Sequence, residues 1–312
     1  MIGLHFVYIV AGLIFAAYAL LGAADRTNPR RFVNAAFWGL LALSFLAGDR
    51  IGDVGNGVLV LALVGVAMLG LGRGQPQTTS KGERFTEAAL RRNWLFVPAL
   101  VVPAVTLIGT LLFKQVPALV DTKQATLVAL ALGTLVALGL CLAWFKPRLV
   151  TPLQEGRRLM DAVGWAAVLP QMLAALGTLF AAAGVGGEVG KLIGSALPSG
   201  SLIAAVFAYG LGMAVLTILM GNAFAAFPVM TAAIGLPLLM QAHHGVPAGV
   251  AALGMLTGFC GTLLTPMAAN FNIVPAALLE LPDRYGVIRA QAPTAFVMFF
   301  VNLLLMYFLV FP

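Results

Sequence analysis

Charge is what this sequence lacks. Of its 312 residues, 9% are Asp, Glu, Lys or Arg, against about 25% in a typical soluble domain. With 61% hydrophobic residues and a mean hydropathy of +1.00, a water-soluble fold would expose apolar patches well beyond the roughly few hundred Å² tolerated in water. The composition therefore specifies an integral membrane protein. The net charge of +7 does not point to nucleic acid. The basic residues sit in short clusters between apolar runs, the pattern of membrane topology signals, and no basic face or nucleic-acid motif accompanies them.

Metal-binding and catalytic side chains are scarce too. The chain has 2 cysteines and 3 histidines. Cys141 and Cys260 lie in apolar runs with no CxxC spacing, so they read as small buried hydrophobes rather than a disulfide framework or a metal knuckle. His243 and His244 are adjacent, point in different directions on a helix and have no Cys, Asp or Glu near them in sequence. They read as surface histidines at a helix end, and no metal is expected. HExxH, GxSxG, Walker and dinucleotide glycine motifs are missing, so no enzyme is expected. No carboxylate falls in the middle of an apolar run either. Asp49, Asp53, Asp121 and Asp161 stand at run ends and Glu188 in a Gly-rich segment. The usual marker of an intramembrane proton relay is therefore missing.

What is present is a series of apolar runs. About 20 residues make one helical crossing. That length predicts spans near 2–22, 33–48, 54–72, 94–113, 125–145, 161–183, 201–220 and 223–241, a long interrupted stretch over 246–279, and a last helix near 294–311. The first run is read as a retained helix, because no Lys or Arg precedes it and Arg26, Arg30 and Arg31 follow. Gly-rich 184–198, with Glu188, Lys191 and Pro198, is too short to cross and reads as a re-entrant or surface helix, with Glu188 and Lys191 as an i,i+3 pair. The segment 75–80, Gln-Pro-Gln-Thr-Thr-Ser, reads as a linker. The fold class is thus all-α and polytopic, with about ten transmembrane helices and interrupted or re-entrant helices in the C-terminal half. Two membrane halves are expected, 1–145 and 146–312. Trp38, Trp94, Trp144 and Trp165 lie near span ends and read as interface anchors.

Loops 23–32, 73–93 and 146–160 hold twelve Lys and Arg, including Arg26, Arg73, Arg157 and Arg158. The opposite loops hold Arg50, Lys114 and Lys123. That bias puts the first set in the cytoplasm and the N-terminus outside.

The chemistry concentrates in two interruptions. Backbone is irregular at membrane depth only where protein or a watery cavity satisfies its N–H and C=O groups, and carriers use such broken helices to hold substrate and ions. The first interruption is Gly221-Asn222, followed by Pro228 and Thr231. The second runs from Gly258 through Gly261, Thr262, Thr265, Pro266, Asn270 and Asn272 to Pro275. Gly, Ser, Thr and Asn also serve helix packing, so each residue alone has a structural reading. Two Asn, two Thr and a Pro gathered together read as a binding or permeation site, because burying them in lipid without partners is costly. Gly221, Asn222, Thr231, Gly261, Thr262, Thr265, Pro266, Asn270 and Asn272 are the candidate substrate and ion ligands. Neutral oxygens of this kind suit Na+ as a coupling ion, and no cofactor is expected.

The runs 221–231 and 265–275 resemble a bacterial inner-membrane family catalogued as the domain of unknown function 979, and the resemblance covers the chain. That family is similar to the ion-transporter superfamily of gluconate, citrate and dicarboxylate carriers, and 168–198 also resembles the gluconate-permease pattern. The resemblance implies a subunit of a secondary permease for a small organic anion, working by alternating access with sodium or proton coupling. It suggests pyroglutamate or another small carboxylate as substrate. It also implies a second, smaller membrane subunit of the 969 family, or a homodimer, since the first five helices show no comparable break. Motif positions carried over are Gly221, Asn222, Thr265, Pro266, Asn270 and Asn272. The alternative is a non-transporting assembly or scaffold subunit of another permease.

Overall fold

The computed structural model describes residues 3–75, 79–116, 120–196 and 200–311. Pro198, and Pro76, Gln77 and Thr78 of the linker, lie outside the described residues. Every regular element among the described residues is helical. The chain divides into two compact units, Met1–Ala162 and Val163–Pro312.

The first unit opens with α1 (Leu4–Ala24) and α2 (Arg31–Met68). A straight helix of 38 residues would run about 57 Å at 1.5 Å per residue, nearly twice the bilayer core of about 30 Å. α2 does not run straight. The Arg30 guanidinium donates to Leu69 O at 2.7 Å and Gly70 O at 3.0 Å, and Asn34 and Gly72 exchange two hydrogen bonds, both 2.8 Å. The two ends of α2 therefore meet. The reversal falls at Gly52, whose φ of 73° and ψ of 176° interrupt the helix. That conformation belongs essentially to glycine. The two arms correspond to the expected spans 33–48 and 54–72.

Next come α3 (Lys81–Arg91), α4 (Val97–Gln115), α5 (Ala125–Phe145) and α6 (Thr151–Val163). Ser80 caps α3, accepting from the Glu83 amide while the Glu83 carboxylate accepts from the Ser80 amide, which satisfies two of the orphan donors of a helix start. α4 and α5 approach closely through small residues. A Cβ on Gly133 would stand 2.9 Å from Val102 O, and one on Gly109 2.9 Å from the Ala129 Cβ. The polar helix α6 belongs to this unit.

The second unit holds α7 (Leu169–Ala182), α8 (Val185–Ala196), α9 (Leu202–Met220), α10 (Ala223–Met230), a π-helix over Thr231–Ala242, α11 (Pro247–Thr262), α12 (Ile273–Leu278) and α13 (Gly286–Leu309). Its core joins Tyr209 and Met213 of α9, Ile234 and Leu239 of the π-helix, Val250 of α11 and Met306 of α13. The wide π turn surrounds Pro237, which has no N–H to give to the ladder and clashes with the carbonyl four residues back. α7 and α8 pack by small residues on α10 and the π-helix. Cβ atoms on Gly177 and Gly190 would meet Ala225 Cα at 2.7 Å and Ala233 O at 2.8 Å. Lys191 and Glu188 form the expected i,i+3 pair at 2.7 Å.

Among the described residues, seven helical stretches are long and apolar enough to cross a membrane, fewer than the count of about ten. The folded α2 accounts for one of them with two arms. The expected span 161–183 is shorter than its apolar run, because Gly164 adopts a φ of 61° and separates α6 from α7. α11 is apolar but only 16 residues long, about 24 Å. Large apolar side chains such as Leu20, Leu61, Leu107 and Phe308 are exposed on the outer faces. That arrangement fits a membrane protein, whose surroundings are as apolar as its core.

Candidate functional site

Both sequence interruptions leave the helix. At the first, α9 closes with the Gly221 amide donating to Thr217 O at 2.7 Å. Gly221 is left-handed (φ 72°), the usual way a glycine ends a helix. Asn222 then caps α10, its Oδ1 accepting from the Phe224 amide at 2.9 Å. At the second, α11 ends at Thr262 and the backbone is non-helical until α12 begins at Ile273. The Asn272 side-chain amide donates to Thr262 O at 2.8 Å and Thr265 O at 2.7 Å. It thereby satisfies carbonyls that a helix end leaves orphaned.

The two breaks touch each other. Thr265 Oγ1 donates to Ile218 O at 2.9 Å, a carbonyl in the last turn of α9, and accepts from the Met267 amide at 3.2 Å. A Cβ on Gly221 would lie 2.7 Å from the Met267 backbone, and one on Gly261 2.4 Å from Ala214 O. Only glycines permit these approaches. The C-terminal ends of α9 and α11, each carrying about half a negative charge, therefore meet in one buried place. Two oxygens there, Thr217 Oγ1 and Asn272 Oδ1, are buried without a hydrogen bond. Thr262 Oγ1 donates back to Phe259 O at 2.6 Å. The arrangement is a set of neutral oxygens at the negative ends of two helices, chemistry that suits a hard monovalent cation.

The structure thus brings together Gly221, Gly261, Thr262, Thr265 and Asn272. Asn222 is half-buried at the start of α10. Thr231 stands apart at the head of the π-helix, 3.4 Å from the Tyr209 hydroxyl. Pro266 and Asn270 are exposed and lie outside the hydrogen-bonded group. A groove of about 310 Å³ between α8 and the π-helix is lined by Gly187, Lys191, Ala233 and Pro237 among others, and by none of the break residues. No group of three or more His, Cys, Asp or Glu gathers among the described residues.

A second polar assembly, in the first unit, escaped the sequence reading. Arg157 of α6 is 1% exposed. Its Nη2 donates to Asp25 Oδ2 at 2.8 Å and Gln154 Oε1 at 3.2 Å, and its Nη1 lies 3.8 Å from Asp161 Oδ2. Asp161 Oδ1 accepts from Trp38 Nε1 at 2.8 Å and Asn34 Nδ2 at 3.0 Å. Trp38 is fully buried and is not an interface anchor. Arg157, counted among the topology charges, is a buried ion-pair partner. Burial pushes the Asp25 carboxyl up, but hydrogen bonds from Thr27 and Arg157 outweigh it and hold Asp25 below the ordinary aspartate value. Burial dominates at Asp161 and raises it despite the Trp38 and Asn34 hydrogen bonds and the Arg157 charge. Two carboxylates on one guanidinium are thereby pushed in opposite directions.

A family model described as "Protein of unknown function (DUF979)" matches residues 5–311. The chain belongs to this family. No curated protein and no solved structure matches it. Membership of DUF979 agrees with the resemblance drawn from the runs 221–231 and 265–275, and it carries no assigned activity.

Proposed function

We propose that this chain is a membrane subunit of a secondary carrier for a small organic anion, a carboxylate of the pyroglutamate class. It works by alternating access in a bacterial cytoplasmic membrane, with its N-terminus outside. One observation supports this above the others. Two helices break side by side, and their C-terminal ends meet around Thr265, with Thr217 Oγ1 and Asn272 Oδ1 buried and unpartnered. Unused buried oxygens are costly in a structure that serves packing alone. A cation held there would satisfy them, and would repay the desolvation of an anionic substrate moving with it. The start of α10, capped by Asn222, supplies the opposite polarity, a helix N-terminus suited to a carboxylate. Na+ is the coupling ion that neutral oxygens favour. A second subunit of the 969 family, or a second copy of this chain, completes the carrier.

Reconstitution tests the reading. The purified chain, alone and with its partner subunit, is placed in proteoliposomes and given radiolabelled pyroglutamate with an inward Na+ gradient. Accumulation that collapses when Na+ is equal on both sides supports it. Absence of flux for pyroglutamate and for a panel of small carboxylates, with either preparation, overturns it. Uptake that follows only a pH gradient overturns the sodium assignment.

A further inference from the structure

We propose that the buried Asp25–Arg157–Asp161 group is a proton-binding site, in which Asp161 takes up and releases one proton at its Oδ2. Proton binding there stands whether or not the chain carries a substrate.

The stoichiometry of charge comes first. Two carboxylates face one guanidinium, and all three side chains are at most 7% exposed. With every group ionised the cluster holds an uncompensated negative charge away from water, which is expensive. One proton removes it. The hydrogen bonds then decide which carboxylate takes that proton. Asp25 is fully engaged as an anion. Its Oδ1 accepts from the Thr27 amide at 3.0 Å and the Thr27 hydroxyl at 2.6 Å, and its Oδ2 accepts from Arg157. Asp161 is engaged on one oxygen only. Its Oδ1 takes the Trp38 and Asn34 donors, which a neutral carboxyl's carbonyl oxygen also accepts, less strongly than an anion does. Its Oδ2 is 3.8 Å from the guanidinium, beyond hydrogen-bond reach. The proton therefore belongs on Asp161 Oδ2.

The surroundings agree. The charges acting on Asp161 are Arg157, which opposes protonation, and Asp25, which favours it. From α2 the neighbours are the neutral donors Asn34 and Trp38. From α1 the titratable side chain that reaches α6 is Tyr18, whose hydroxyl occupies the space above Gly156. Arg157 Nε and Nη1 are buried without a hydrogen bond, so the guanidinium is not saturated in this arrangement. Loss of the proton gives Nη1 an anionic partner at Asp161, and gain of the proton returns Arg157 to Asp25 alone. The proton state thus sets how tightly α6 is tied to the ends of α1 and α2. The count of basic loops puts this end of the unit on the cytoplasmic side, where it meets cytoplasmic pH.

Infrared difference spectroscopy on the full chain in lipid tests the site through the C=O stretch of protonated carboxyls. The wild-type spectrum, minus that of Asp161→Asn, is expected to contain one carboxyl band that titrates with a midpoint above the ordinary aspartate value. Asp25→Asn is the second variant. It removes the neighbouring charge that favours protonation, so the same band is expected to shift its midpoint downward. A chain retaining only Trp38, with Trp94, Trp144 and Trp165 replaced by Phe, should show fluorescence that follows the same midpoint, because Trp38 Nε1 donates to Asp161. A band unchanged by Asp161→Asn, a midpoint at or below the ordinary aspartate value, or a midpoint unmoved in Asp25→Asn overturns the proposal. None of these readouts requires transport, so a carrier that proves inactive leaves the result standing.

Discussion

Gly221→Ala is the substitution that most directly tests the crossing of the two broken helices. Two costs add. Gly221 has a φ of 72°, and a left-handed conformation costs an alanine about 1–2 kcal/mol. The new Cβ would also stand 2.7 Å from the carbonyl carbon and oxygen of Met267. Those are backbone atoms and cannot swing aside, so overpacking adds about 1–3 kcal/mol. The expected loss is about 2–5 kcal/mol. Two other glycines separate the contributions. Gly52 has a φ of 73° and nothing within 4 Å of its hypothetical Cβ, so Gly52→Ala meets only the backbone cost, about 1–3 kcal/mol. Gly139 lies in the middle of α5 with ordinary helical backbone and open space, so Gly139→Ala should be neutral or stabilising by up to about 1 kcal/mol. Denaturant titration in mixed micelles, read by far-ultraviolet circular dichroism, gives the three values. The expected order is Gly221→Ala worst, Gly52→Ala intermediate, Gly139→Ala best. Gly221→Ala within about 0.5 kcal/mol of wild type, the scatter of an uninvolved surface change, would refute the close approach of the two breaks.

The asparagines of the second break should separate in the same measurement. Asn272→Leu orphans the carbonyls of Thr262 and Thr265 while removing one unpartnered oxygen, a net loss of about 1–3 kcal/mol, whereas exposed Asn270→Leu should stay within about 0.5 kcal/mol. If the proposed carrier reading holds, Asn272→Leu abolishes Na+-driven uptake in proteoliposomes, and full uptake by that variant would remove Asn272 from the proposed ion site. The two aspartates of the first unit should show opposite pH signs in thermal unfolding. Asp25 is held below its ordinary value in the folded state, so it contributes stability above its unfolded value that is lost as pH falls through the folded one. Asp25→Asn should therefore melt lower than wild type at neutral pH and converge with it in acid. Asp161 is raised, so its contribution is full below the unfolded value and is lost as pH rises through the folded one. Asp161→Asn should accordingly melt higher than wild type above that value and converge below it; parallel pH profiles for the two variants would contradict the assignment.

Much of the architecture was readable because lipid imposes so few solutions. Runs of apolar residues predicted α1, both arms of α2, α4, α5 and α9 to within a few residues and the existence of α13, which begins at Gly286 well before the expected 294, and the gap at 49–53 anticipated the reversal at Gly52. Where the reading slipped, one residue carries the reason. Hydropathy continues through 161–183, but Gly164 takes a positive φ and turns the chain, so Asp161 ends the polar helix α6 instead of starting a span. Periodicity has no means of registering a single backbone angle. The breaks at 221–222 and 263–272 were readable for the opposite reason, since Gly, Asn and Pro are the residues whose chemistry interrupts a helix. Which asparagine would turn inward was not readable. Asn270 and Asn272 are two positions apart on irregular backbone, where no 3.6-residue rule assigns a face, and only Asn272 is buried.

The cluster around Arg157 marks the deeper limit. Its long-range hydrogen bonds join residues 123 to 132 positions apart, and each member has an ordinary local explanation. Arg157 reads as one more basic residue in a basic loop, Trp38 as an interface anchor and Asp161 as a charge at a helix end. Any one of those readings is sound for an exposed residue, and each fails once the side chain is buried. Burial reverses the inference, because a charge away from water must have a partner while a charge in a loop needs none. The absence of an acid in mid-helix therefore does not settle where a membrane protein keeps a proton. Asp161 lies outside every apolar span, yet tertiary packing desolvates it as the middle of a span would. The relevant depth is distance from water, whether lipid or neighbouring helices exclude it, and that quantity exists only once α6 has folded against the ends of α1 and α2.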